Sequence, residues 1–474
     1  MWTDAGRGEM PVNGAFEDKV ESYLRGLSPE AREMILRRTG KRAPAPTPDP
    51  AGVAAPPLPP APAPLRISVP LEPPPPTRTV MFEARIAVFE PFHPFVVGES
   101  LPRRQRGWIE ASSFDGIWTF LVRAGLPAET APWELPREVT EEEERRLRAE
   151  AMPPLRAAMF AALRRADEAA RRDPVIEQKF IARIGGERVL ADLRDMIDVA
   201  PRLAGIERLL ARLPAQIAAG EAAEKAAGAP IVAHLQAAPA DAVYVATAIS
   251  GRLATPASLV RFACQFAGTP DVAALRRSAP AAAFVDVALS AAERHAVRFD
   301  TTLSSRGPLS RLLNDLRQFH EIVRGATLNL DIEDDRQWML RLSGLRSAMS
   351  EPLVDAIERV LPAIRTALLG GRIARASDAD RDDAIRAAAL LAAARRYRDS
   401  LAVNAAVNRL WPMIDQALQI YGRPLIDRLR TADAAQRDEL VQASAVFVEI
   451  AEHIHGEEYA GHLRKAREKA LRGQ

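Results

Sequence analysis

From Glu138 to the C-terminus, apolar residues recur at helical spacing, and the breaks between them are caps, glycines and prolines. Asp173-Pro174 and Thr255-Pro256 have the form of helix starts, while Gly185-Gly186 and Gly370-Gly371 have the form of stops. Leu309, Leu312, Leu313, Leu316 and Val323 trace one helical face. Leu353, Ile357, Val360, Leu361, Ile364 and Leu368 trace another, with Pro362 expected to kink it. Further helices are expected around residues 187–213, 240–253, 280–298, 334–348, 379–430 and 434–472. One strand is plausible, Thr327 to Ile332, and it is too short to carry a sheet. The expectation is an all-α fold, an elongated multi-helix bundle or an irregular α-solenoid. No repeat of about 30–50 residues holds along the chain. Residues 137–474 form the helical body, with a division into two lobes expected near 228.

The N-terminal part is built differently. Phe16, Val20, Tyr23, Leu24 and Leu27 make one apolar stripe, and Ser28-Pro29 opens a second short helix. This element, residues 1–42, is too small to hold a core of its own. Residues 43–79 contain 15 of the 38 prolines. Proline removes backbone donors and fixes φ, so this stretch reads as a disordered, extended linker. Between 80 and 136 aromatic residues concentrate, and Pro91 and Pro94 forbid a regular helix between them. Val80 to Phe89 fits helix or strand, and Ser112 and Ser113 are candidate caps for a helix through Ile117, Phe120 and Leu121. The segment 80–136 is expected to pack as an irregular plug on the body.

Aromatic residues make up only 5% of a chain that is 47% hydrophobic, so alanine and leucine must do much of the packing. A formal charge of +2 spread along 474 residues argues against a broad electrostatic footprint for nucleic acid or anionic lipid. The lone Cys264 cannot form an internal disulfide. With no signal pattern in residues 1–13 and no long apolar run, the cytoplasm is the expected location.

Chemistry is sparse. Glu449, Glu452, His453 and His455 are the best metal-ligand candidates, because Glu452 and His455 have the spacing of one half of a di-iron carboxylate site. The second half is missing, since Glu90 and His93 sit between prolines, so a solvated helix face is the preferred reading. His295, His320, His234 and His93 lack a nucleophile to serve, and His295 and His320 are read as surface or boundary residues. Cys264 reads as a small buried side chain. Asp378, Asp380, Asp382 and Asp383 depart from a calcium loop at its glycine and its final glutamate, and Asp331, Glu333, Asp334 and Asp335 lack a closing ligand. Both clusters precede helices and suit capping. Arg103, Arg104 and Arg106 beside Trp108 form the best basic-aromatic patch, the basis for a regulator binding nucleic acid or a membrane surface. No phosphate loop, dinucleotide fingerprint or nucleophile elbow is present.

Glu90-Pro91-Phe92 to Val97, Ala242-Val243-Tyr244-Val245-Ala246 with Gly251-Arg252-Leu253, and Gly456-Glu457-Glu458-Tyr459-Ala460 together resemble an uncharacterised alphaproteobacterial family of helical proteins. The resemblance spans residues 80–474 and implies a helical fold, with no activity, cofactor or site residues. The expected function is a non-enzymatic scaffold or adaptor for a protein partner or a second copy of the chain, with no cofactor. The tethered stripe Phe16, Val20, Tyr23, Leu24 and Leu27 is its docking element. A metal-dependent helical enzyme and the regulator are the alternatives.

Overall fold

A computed structural model describes residues 78–80, 84–133, 137–331, 335–369 and 376–472. The N-terminal element, with Phe16, Val20, Tyr23, Leu24 and Leu27, and the proline-rich stretch below residue 78 lie outside the described residues, as do Gly370-Gly371. Pro74–Gln474 forms one compact unit. The described chain is all-α, a multi-helix bundle with two marginal strand pairs. Strand β1 (Arg78–Val80) runs antiparallel to β4 (Arg137–Val139), and β2 (Val96–Val97) pairs parallel to β3 (Ile109–Glu110).

The first helices are α1 (Ala84–Phe89), α2 (Ser113–Phe120), α3 (Pro127–Thr130) and α4 (Glu141–Arg146). There follow α5 (Met152–Arg172), α6 (Pro174–Ile184), α7 (Glu187–Val199), α8 (Leu203–Ala211), α9 (Glu221–Ala237) and α10 (Ala242–Ser250). The middle of the unit holds α11 (Ser258–Ala267), α12 (Val272–Arg277), α13 (Ala279–Ser304), α14 (Leu309–Asn329), α15 (Arg336–Glu358) and α16 (Val360–Leu369). The last are α17 (Asp378–Arg396), α18 (Asn404–Thr431), α19 (Ala434–His455) and α20 (Glu457–Leu471).

Helix boundaries follow local chemistry. Asp173 caps α6 through the Val175 amide at 2.8 Å, and Gly185 ends it in the left-handed region at φ 106°. Ser377 and Asp380 form a reciprocal capping box at the start of α17, and Asp335 accepts from the Trp338 amide, so both acidic clusters contribute caps. Four expectations need correction. The strand expected over Thr327–Ile332 is not formed at Thr327–Asn329, which belong to α14, and Ile332 lies outside the described residues. Pro362 does not kink a continuous helix; the chain breaks at Arg359 and Pro362 lies in the first turn of α16, where its missing N–H costs nothing. The helix expected from Thr255-Pro256 starts at Ser258. Ser112 makes no capping bond, and Ser113 turns to Asp192 instead.

Helix α13 is the hub. It packs against α10, α11, α12, α14 and α15, and Phe284, Val285, Ala288, Leu289, Ala292 and Phe299 are fully buried along it. Small alanines on this helix let neighbours approach closely, which suits a core short of aromatic residues. The aromatic segment belongs to the same core. Phe92 stacks on Phe160 of α5 with ring centroids 5.1 Å apart, and Phe95 meets Tyr244 of α10 edge-on at 6.0 Å. The division expected near 228 falls inside α9, where Gly228 lies against Phe262 and Gln265 of α11. Among the described residues no helix is long and apolar enough to cross a membrane.

Candidate partner-binding site

Helix α7 carries Leu190, Leu193, Met196 and Val199 into the core, and Asp192, Asp195 and Asp198 three residues apart alongside them. That spacing lays the carboxylates along the seam between α7 and the loop 103–110. Asp192 accepts from Ser113 Oγ at 2.7 Å, from the Glu110 amide at 2.9 Å and from Arg104 Nε at 3.1 Å. Asp195 accepts from the Gly107 amide at 2.8 Å and from Arg104 Nη2 at 2.5 Å. Asp198 accepts from Arg106 Nη2 at 2.6 Å, Tyr244 Oη at 2.7 Å and Arg202 Nη1 at 2.6 Å. The ladder continues through Arg202 to Asp241, 3.1 Å away, and from Asp241 to His234 Nε2 at 3.0 Å. Gly107 has φ +84°, so the loop turns where only glycine is unstrained.

Burial and hydrogen bonding act differently along this ladder. Burial raises the pKa of Asp192 and of Asp195 above the ordinary carboxylate value, against the pull of their donors. For Asp198 burial also works against the charge, but the Tyr244, Arg202 and Arg106 donors outweigh it and lower the pKa. Burial and the adjacent Asp195 and Asp198 push the Tyr244 hydroxyl well above its ordinary value, so it remains a donor.

The outer side of the ladder opens on a depression of about 520 Å3. Arg164 and Arg171 of α5, Arg194 of α7, Arg106 and Arg202 line it, opposed by Asp195 and Asp198. Buried Asp167 fixes two of these cations, with Oδ2 2.7 Å from Arg171 Nε and Oδ1 2.7 Å from Arg194 Nε. Arg194 Nη2 reaches Glu177 at 2.9 Å. Arg171 engages only its Nε and its side chain is 59% exposed. Among the described residues Arg164 has no hydrogen-bond or ion-pair partner. The result is an open depression rimmed by guanidinium groups, several held from behind by buried acids, with Arg164 unpaired among the described residues. An adjoining depression of about 420 Å3 is balanced, with Arg104, Arg106 and Arg194 against Glu177, Glu187 and Asp195. Another cavity, about 620 Å3, mixes Asp300, Asp355, Asp380 and Asp383 with Arg306, Arg359 and Arg386.

The residues singled out in the sequence fall as follows. Arg104 and Arg106 do not form an outward basic-aromatic patch: their guanidiniums pair with α7 aspartates, and Trp108 is 3% exposed. Glu452 pairs with Arg464, His455 Nε2 lies 3.4 Å from Asp415 Oδ1, and Glu449 is exposed. Among the described residues no three His, Cys, Asp or Glu side chains gather closely enough to hold a metal ion, so Glu449, Glu452, His453 and His455 do not converge. His295 is not a surface or boundary residue; it is buried against Asp315. His320 is half-buried and stacks on Tyr397. Cys264 is half-buried, and burial raises its thiol pKa. Sequence reading passed over Arg164, Arg171 and Asp167; the available signal was the three evenly spaced aspartates of α7.

Comparisons with protein families, curated proteins and solved structures give no match to this chain.

Proposed function

We propose that this chain is a non-enzymatic cytoplasmic adaptor that docks an acidic segment of a protein partner in the Arg164–Arg171 depression. The observation that carries the reading is exposed Arg164, with no counter-charge among the described residues, beside Arg171, whose side chain is 59% exposed. Arginine forks match carboxylates in pairs, and pre-positioning by Asp167 lowers the ordering cost of binding. The patch is compact and the chain nearly neutral. A nucleic-acid footprint of about 6–10 phosphate contacts finds no support in it. Membership of the alphaproteobacterial helical family belongs to the same proposal and adds no activity to it.

The test is titration of a fluorescent oligoglutamate peptide against the full chain and against the double variant Arg164→Glu/Arg171→Glu. Binding should weaken about 10-fold or more in the variant, the loss expected when about 1.4 kcal/mol of charge interaction is reversed. Equal binding by both chains, or tighter binding of duplex DNA than of the peptide, removes the reading. The stripe Phe16, Val20, Tyr23, Leu24 and Leu27 is proposed as a second docking element, in cis or on a sister copy. If chains with and without residues 1–42 capture the same partners at the same strength, that second role fails.

A further inference from the structure

A further cavity, of about 280 Å3, lies between the aromatic segment, the end of α10 and the face of α13. Its size falls just below the roughly 300–1,000 Å3 usual for drug-sized ligands, which suits a smaller molecule. Arg252, Arg294 and His93 line it, and among the described residues no aspartate or glutamate does. Phe95, Val97 and Trp108 supply an apolar wall.

Arg294 is the unusual member. Its guanidinium has no hydrogen bond or ion pair among the described residues, and its buried Nε is without an acceptor. Its Cζ sits 5.1 Å from the centroid of the Trp108 ring, a cation–π contact that holds the side chain without neutralising it. Glu99 and Asp315 act on it electrostatically without pairing with it directly, and Asp315 keeps a buried Oδ2 that has no hydrogen-bond partner among the described residues. Arg298 lies 3.6 Å from Glu99 and 3.1 Å from Asp315, and His295 Nδ1 is 2.8 Å from Asp315. A cation partly withdrawn from water with no direct ion pair carries a desolvation cost, which a bound anion would offset.

Thr247 gives a second, independent sign. It is 3% exposed and lines the same cavity, and its Oγ1 is buried with no hydrogen-bond partner among the described residues. A buried hydroxyl left unbonded is uncommon, and a ligand oxygen would satisfy it. Nearby donors are already in use: Ser250 Oγ donates to the Thr247 carbonyl at 2.7 Å, and Arg252 Nη1 to the Leu210 carbonyl at 2.7 Å. Among the described residues, the buried side-chain polar atoms of this lining that lack a hydrogen-bond partner are therefore Arg294 Nε and Thr247 Oγ1.

We propose that this cavity binds a small organic carboxylate, with the carboxylate taken by Arg294 and Thr247 and the carbon skeleton packed on Phe95, Val97 and Trp108. The site is separate from the docking depression and independent of the adaptor reading. The apolar wall is what favours an organic acid over inorganic phosphate, which has nothing to place there.

The experiment is calorimetric titration of the full chain with butyrate, succinate, benzoate and inorganic phosphate, alongside thermal unfolding. At least one organic acid should bind saturably below about 10 mM and raise the melting temperature. Arg294→Met should abolish that binding while leaving the melting temperature of the free protein unchanged or higher, because it removes a half-buried charge with no ion pair among the described residues. Thr247→Val should weaken binding about 10-fold with the fold intact, and it carries the test if the Arg294 variant does not fold. Arg164→Glu/Arg171→Glu should leave carboxylate binding unchanged, which separates this site from the docking depression. Absence of saturable binding by all three organic acids overturns the proposal. So does unchanged affinity in both cavity variants, or phosphate binding as tightly as the best organic acid.

Discussion

His295 sits on α13 at 5% exposure, with Nδ1 2.8 Å from Asp315 and the Arg294 and Arg298 guanidiniums close by. Burial lowers its pKa below the ordinary 6.5, with Asp315 opposing the shift and the two arginines adding to it. The folded state therefore binds this proton less readily than the unfolded chain does. Its contribution to stability is present above about pH 6.5 and is lost as pH falls through that value toward the folded pKa. His295→Gln keeps a donor for Asp315 and does not titrate. Between about pH 7.5 and about pH 5 the wild-type melting temperature should fall more than that of the variant. Parallel curves would show that His295 does not drive the loss. The sequence hid this residue because its partner is twenty positions away on the next helix. Arg164 was hidden for the opposite reason: an exposed arginine on a helix carries no local sign of what surrounds it.

Helix packing around the site rests on close approaches that glycine permits. Gly116 of α2 faces the carbonyl of Ile184 at the end of α6, and Val189 of α7 lies just beyond. A methyl group there would drive into backbone that cannot rotate away. Gly116→Ala should destabilise the protein by about 1–3 kcal/mol or more, read by denaturant unfolding. A loss below about 0.5 kcal/mol would mean that α2 is free to shift. At this scale much was legible in the sequence, and the pattern of success is physical. Asp173, Gly185, Ser377 and Asp335 act within four residues of themselves, so their roles show in the local sequence. Ser113 does not: its hydroxyl goes to Asp192, 79 residues on, and a capping rule has no access to that. Pro362 was read as a kink because the apolar stripe continues through it, whereas the backbone resolves the conflict by ending one helix at Glu358.

Over the whole unit, Pro74–Gln474, the helical class followed from period and composition, while the charged sites depended on tertiary placement. The buried acids Asp167, Asp192 and Asp195 hold arginines from three separate parts of the sequence, and only packing shows which guanidiniums remain to face outward. That remainder is the core of the adaptor reading. Its most direct test is the ionic-strength dependence of oligoglutamate binding to the full chain and to Arg164→Glu/Arg171→Glu. Exposed charges are screened within about 10 Å at 0.1 M salt, so wild-type affinity should fall steadily as salt rises while the variant binds weakly throughout. Wild-type binding that is insensitive to salt, or a variant that follows the same curve, would contradict the account.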